Sequence, residues 1–109
     1  MELSFATPRI RDLCERREEA IAALGLDAAL ELEQRLADIE AVDNAADLIA
    51  LFVDAITERS REVQVLRLST GHTLALMSGH AKPRLTSGGT TDWEKVTRMR
   101  IVEIDQPDG

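Results

Sequence analysis

Helical periodicity in the first half of the chain, followed by strand periodicity in the second, predicts an α+β protein: an N-terminal helical hairpin packed on a small antiparallel β-sheet. Three observations carry this reading. Apolar residues recur every three to four positions from Ile10 to Ile56, the spacing approaches alternation after Glu62, and turn-forming residues punctuate the segments. With 109 residues and 44% hydrophobic content there is material for one modest core, so a single domain spanning 1–109 is expected.

The elements follow in order. Leu3 to Thr7 (LSFAT) is short and partly alternating, and reads as an edge strand or an arm. Thr7-Pro8 starts a helix, because a threonine hydroxyl caps free N–H groups and proline suits the first helical position. Ile10, Leu13, Cys14, Arg17, Ile21 and Leu24 continue at helical spacing, and Gly25 ends the helix. Asp27 caps a second helix whose stripe is Leu30, Leu32, Leu36, Ile39 and Val42. So short a connection folds the two helices into an antiparallel pair. Asn44, with Asp47 three residues on, opens a third helical piece, AADLIALFVDAI, with Leu48, Ile49, Phe52 and Ile56 inward. Beyond a charged break from Glu58 to Glu62, VQVLRLS and HTLALMS flank a Thr70-Gly71 turn and form a hairpin. A polar loop from Ser78 to Thr91 follows. VTRMRIVEI then reads as a strand with Arg98 and Arg100 on one face and Met99 and Ile101 on the other, before a loose tail, DQPDG.

Composition narrows the function classes. No apolar run approaches the ~20 residues that span a bilayer, and the start lacks the basic and apolar regions of a secretory signal, so a cytoplasmic protein with no membrane partner is expected. Cys14 is the single cysteine, which rules out an intrachain disulfide and fits a small buried hydrophobe. The net charge of −7 argues against nucleic-acid binding through the whole surface. Its distribution is uneven, however. Met1 to Glu62 holds seven bases against fifteen acids, a net of −8, whereas Val63 to Val102 holds six bases against two acids, a net of +4. A basic portion joined to an acidic one fits either a localised nucleic-acid face or a helical half made acidic for solubility.

Chemistry-bearing residues concentrate in the basic portion. His72 and His80 are the two histidines, and an imidazole beside Lys82 and Arg84 suits a general acid or base; the alternative is that His72 caps the hairpin and His80 decorates the loop. Lys82, Arg84, Arg98 and Arg100 are the phosphate-contact candidates, since a period of two puts both strand arginines on one face. Trp93 either stacks on a base or locks the loop against the core. Gly88-Gly89 lacks the context of a phosphate loop and reads as a turn. Two histidines without clustered cysteine or carboxylate ligands predict neither a metal site nor a cofactor, and no nucleophile-elbow spacing supports a Ser/His/Asp triad.

The stretch PRLTSGGTTDWEKVTRMRIVEI resembles the C-terminal signature of a branch of HigB-type toxins in the RelE/ParE/HigB superfamily. The matching positions are Pro83-Arg84, Gly88-Gly89, Asp92-Trp93, Lys95-Val96-Thr97 and the strand from Arg98 to Asp105. ELEQRLADIEAVDNAADL is similar, more weakly, to that branch's second helix and linker. The resemblance implies a helical hairpin on a twisted antiparallel sheet and the toxin role of a type II toxin–antitoxin pair. Its partners would be a cognate helix-turn-helix antitoxin, the ribosome and mRNA, and its outcome growth inhibition. Many such relatives are metal-independent endoribonucleases in which basic side chains stabilise the transition state, while ParE-like relatives act on gyrase by protein binding. On this implication His72, His80, Arg84 and Arg100 are the catalytic candidates, and Lys82, Lys95 and Arg98 the RNA-binding ones. The chain departs from the pattern in two respects. His72-Thr73 stands where relatives carry an aromatic-arginine pair, and there is no tyrosine.

Overall fold

A computed structural model describes residues 1–107. The chain is α+β. Strand β1 (Glu2–Phe5) leads into four helices, α1 (Pro8–Glu15), α2 (Arg17–Leu24), α3 (Leu26–Ala41) and α4 (Ala45–Leu51), followed by β2 (Ile56–Glu58), β3 (Gln64–Arg67), β4 (Thr73–Ser78) and β5 (Arg98–Asp105). The sheet order is β1-β5-β4-β3-β2. The LSFAT segment is thus an edge strand. It pairs parallel to β5, with Leu3 opposite Met99, so the sheet is mixed rather than wholly antiparallel. The other neighbours are antiparallel.

Alternation places one side of every strand in a common core. Leu66, Leu74, Leu76, Met99 and Ile101 meet Ile10, Leu32, Leu36, Ile39 and Leu48 from the helices, which therefore cover one face and leave the other open. A bulge interrupts the β4–β5 ladder. Ala75 faces Glu103 while Leu76 faces Ile101, so Val102 is the extra residue. The extra step returns Ile104 to the core side with Ile101, and leaves Glu103 and Asp105 on the open face with Arg98 and Arg100.

Several boundaries differ from the periodicity. The first predicted helix is two, broken at Arg16, which is extended (φ −120°, ψ 107°) with no proline or glycine present. The cause is tertiary: α1 packs Ile10 and Leu13 inward beside β1 and β5, whereas α2 lies against α3. Thr7 caps α1 through Ile10 N–H as expected. Arg17, which falls in the helical spacing of the apolar residues, forms a bidentate pair with Glu33 at 2.7 and 2.8 Å across the α2–α3 hairpin. The Arg17 hydrogen bonds hold the Glu33 carboxyl below its usual range. Helix α3 starts at Leu26 behind Gly25 (φ 90°), so Asp27 lies in the first turn rather than at the cap. Asn44 caps α4 through Asp47 N–H at 2.9 Å, but the helix stops at Leu51 because Ile56 to Glu58 pair with β3. Of the tail expected to be loose, Gln106 and Pro107 are packed on the β3–β4 turn, where a Cβ on Gly71 (φ 91°) would lie 3.0 Å from Pro107. Asp108 and Gly109 lie outside the described residues.

Cys14 packs against the core from α1, and burial, reinforced by Glu15, raises its thiol from 9.0 to about 12. The unfolded chain therefore releases this proton at lower pH than the folded one, so stability is retained below about pH 9 and falls as pH rises towards 12. Urea titrations across that window should show the decline for the wild type and a shallower one for Cys14→Ala.

Candidate functional site

Local chemistry first fixes the β3–β4 turn. Both Glu31 carboxylate oxygens accept from Ser69 N–H, at 3.0 and 2.9 Å, and clamp the turn onto α3. His72 follows at the base of the turn and is 6% exposed. Its ring belongs to a chain of bonds whose polarity can be read from one end. Gln106 Nε2 donates to the Ala23 carbonyl at 3.0 Å, so Gln106 Oε1 faces His72 Nε2, 2.9 Å away, and accepts its proton. Thr70 Oγ1 lies 2.8 Å from Nδ1. Both ring nitrogens are thus engaged in joining the turn, the end of β5 and the end of α2.

His80 lies beyond the opposite end of β4. The two histidines are separated by the whole strand, whose five residue steps span about 17 Å. His80 Nε2 accepts from Thr97 N–H at 3.1 Å, so in the neutral ring the proton sits on Nδ1. Its own N–H donates to Ser78 Oγ at 3.2 Å, leaving the serine hydroxyl proton free to donate.

The loop after β4 is tied down at several points. Gly79 N–H donates to Arg98 O, Asp92 N–H to Arg84 O, and Thr91 N–H to Arg61 O. A single bridge joins Leu85 to Thr91, and a turn over Thr86 to Gly89 closes its tip, which places Gly88-Gly89 in a turn as predicted. Trp93 begins a 3₁₀ turn (Trp93–Lys95) and packs partly buried against the core. Because the loop returns to Arg61, it lies beside the β2–β3 turn and encloses a pocket of about 230 Å³.

His80, Arg100, Glu62, Thr91 and Ser78 line this pocket with polar atoms. Met77, Ala81 and Pro83 supply its apolar walls. Arg100 stands opposite Met77 on the open face and has no ion-pair partner among the described residues. Glu62 has none either, so the two charges share a cavity without touching. Thr91 is 2% exposed, and its backbone N–H donates to Arg61 O.

The predicted site residues are therefore divided. His80 and Arg100 come together in the pocket, while Lys82 and Arg84 are exposed on either side of the lining residue Pro83 in sequence and are not themselves part of the lining. Arg98 shares the open face with Arg100 but is paired with Glu2 at 3.0 Å. Lys95 is exposed on the 3₁₀ turn and outside the lining, and His72 is remote. Sequence reasoning missed Glu62, Ser78, Thr91 and Gln106. No linear pattern marks them: a backbone bond from Thr91 to Arg61 brings Thr91 beside Glu62, and the return of the chain after β5 brings Gln106 to His72. A larger, more open cleft of about 710 Å³ lies at the far end of the open face, between Thr57, Arg59, Thr73 and Gln106. No helix among the described residues is long and apolar enough to cross a membrane. No family model, curated protein or solved structure matches the chain.

The two histidines should separate cleanly in stability measurements. His72→Ala removes a buried ring and its two part-buried hydrogen bonds and should lower the unfolding free energy by about 1–3 kcal/mol. His80→Ala removes one exposed bond and should cost less than about 1 kcal/mol. Equilibrium urea unfolding of both variants is the measurement.

Proposed function

We propose that this chain is the toxin component of a type II toxin–antitoxin pair of the RelE/ParE/HigB type, a ribosome-dependent mRNA endoribonuclease held in check by a cognate helix-turn-helix antitoxin. The supporting observation is the convergence of His80 and Arg100 in one pocket, with the exposed Lys82 and Arg84 adjoining its lining residue Pro83 in sequence. The proposal rests also on the C-terminal signature that the sequence carries from Pro83 to Asp105.

In the reaction the ribose 2′-hydroxyl attacks the adjacent phosphorus, and the bond from phosphorus to the 5′-oxygen of the next nucleotide breaks. Negative charge grows on the phosphoryl oxygens and on the leaving oxygen. Lys82 and Arg84 hold backbone phosphates, because charge-assisted contacts position a polyanion without reading its sequence. Arg100 holds the bound nucleotide from the sheet, and so fixes the 2′-hydroxyl and the phosphorus in position for attack. With Nε2 occupied by Thr97 N–H, the neutral His80 ring offers Nδ1–H as a hydrogen-bond donor to the charge growing on the leaving oxygen. The 2′-hydroxyl proton is released to solvent water, and the leaving oxygen takes up a proton from it.

A second reading, a toxin-like protein that acts by binding an antitoxin or gyrase, is favoured by a specific observation. His72 is engaged on both nitrogens and Arg98 is neutralised by Glu2, so fewer groups are free for chemistry than the sequence offers.

Translation-dependent cleavage of message, beside growth on induction, distinguishes the two. An active enzyme should lose roughly 10²–10³ in rate on Arg84→Ala or Arg100→Ala. His80→Ala should cost roughly 10²–10³, the range of losing one preorganised donor to developing charge. A wild type that neither arrests growth nor cuts message overturns the enzyme reading in favour of protein binding.

A further inference from the structure

The pocket beneath the loop holds an acid and a base that do not neutralise each other. Glu62 approaches from the β2–β3 turn and Arg100 from β5, and both line the same cavity of about 230 Å³ without forming an ion pair. Opposite charges left apart across a small cavity suit a ligand that offers acceptors on one edge and donors on another. The carboxylate also makes the interior a poor place for a phosphate, whose charge it repels, so the reacting phosphate belongs at the mouth of the pocket beside His80. The cavity is smaller than the ~300–1,000 Å³ typical of drug-sized ligands, and is of a size for one flat ring system. Met77 and Pro83 provide apolar walls, and Ser78 and Thr91 add hydroxyl-bearing residues to the lining.

We propose that this pocket binds a guanine base, with Arg100 donating to O6 and N7 and the Glu62 carboxylate accepting from N1–H and the N2 amino group. Guanine alone among the common bases pairs two adjacent acceptors with two adjacent donors. Adenine puts an amino donor where guanine has O6, and so turns a donor towards Arg100. Cytosine and uracil have no second ring to reach both walls. The Thr91 hydroxyl and the free Ser78 proton supply further donors to O6. The inference deepens the proposed ribonuclease reading, since it names the base that the same site selects, but binding of the base does not depend on cleavage.

Isothermal titration calorimetry of the full chain tests it, with GMP and AMP as mononucleotide probes. Two oligoribonucleotides, one all adenosine and one with a single central guanosine, are the second arm. GMP should bind roughly 5- to 150-fold more tightly than AMP, the range of one good bidentate contact. Glu62→Gln should bring GMP towards parity with AMP and leave AMP unchanged, because the amide turns one acceptor into a donor facing N1–H or N2. Glu62 is exposed and its side chain bonds nothing in the fold, so this variant folds, as a matching thermal melt will verify. A guanosine preference in the oligonucleotide arm identifies RNA as the source of the base. A preference confined to GMP identifies a mononucleotide instead. Equal binding of GMP and AMP, or no guanine preference in either arm, overturns the proposal. Message cleavage that is indifferent to Glu62→Gln removes the guanine pocket and leaves the ribonuclease. Guanine binding that depends on Glu62 without any cleavage does the reverse.

Discussion

The ladder between β4 and β5 is the contact on which the remainder of the molecule depends. It lies at the centre of the sheet, with β1 outside β5 and β3 outside β4, and contributes Leu74, Leu76, Met99 and Ile101 to the core. Its register also sets the chemistry. Met77 opposite Arg100 places the guanidinium on the open face next to the point where the chain leaves β4, and Gly79 N–H to Arg98 O prolongs the pairing by one step. The bulge at Val102 then allows a strand of this length to keep Ile104 inward while presenting two carboxylates, Glu103 and Asp105, outward. The open face therefore carries cations at the β4 exit and anions at the β4 entry.

That gradient divides the basic portion of the sequence into working parts. Arg98 meets Glu2 and Arg59 meets Glu103, exposed pairs worth ~0–1 kcal/mol each that chiefly cancel charge. Among the described residues Arg67, Lys82, Arg84, Lys95 and Arg100 stay without an ion-pair partner, and of these Arg100 lines the pocket. A protein of net charge −7 can thus keep a small positive field where the loop folds over the sheet. The two histidines differ for the same positional reason. His72 lies where the tail returns to the hairpin and is consumed by it, whereas His80 lies where the loop departs and keeps one nitrogen towards the pocket.

The sequence by itself determined the elements whose chemistry is local. The Thr7 and Asn44 caps, the hairpin around Thr70-Gly71, the turn at Gly88-Gly89 and the outward pair Arg98 and Arg100 all follow from residue type and spacing within a few positions. Tertiary structure decided the rest. Arg16 breaks a helix with no helix-breaking residue in it, because its two halves bury against different layers. Ile56 leaves a helical pattern because a strand edge, remote in the pattern but adjacent in space, offers it backbone partners. β1 joins in parallel to the last strand, a pairing across nearly the whole chain that no local period encodes. The pocket is the clearest case. His80 and Arg100 were legible as candidates, but Glu62 and Thr91 entered only because a backbone hydrogen bond carries the loop back to Arg61, and such bonds depend on the path of the chain and not on the side chains that they bring together.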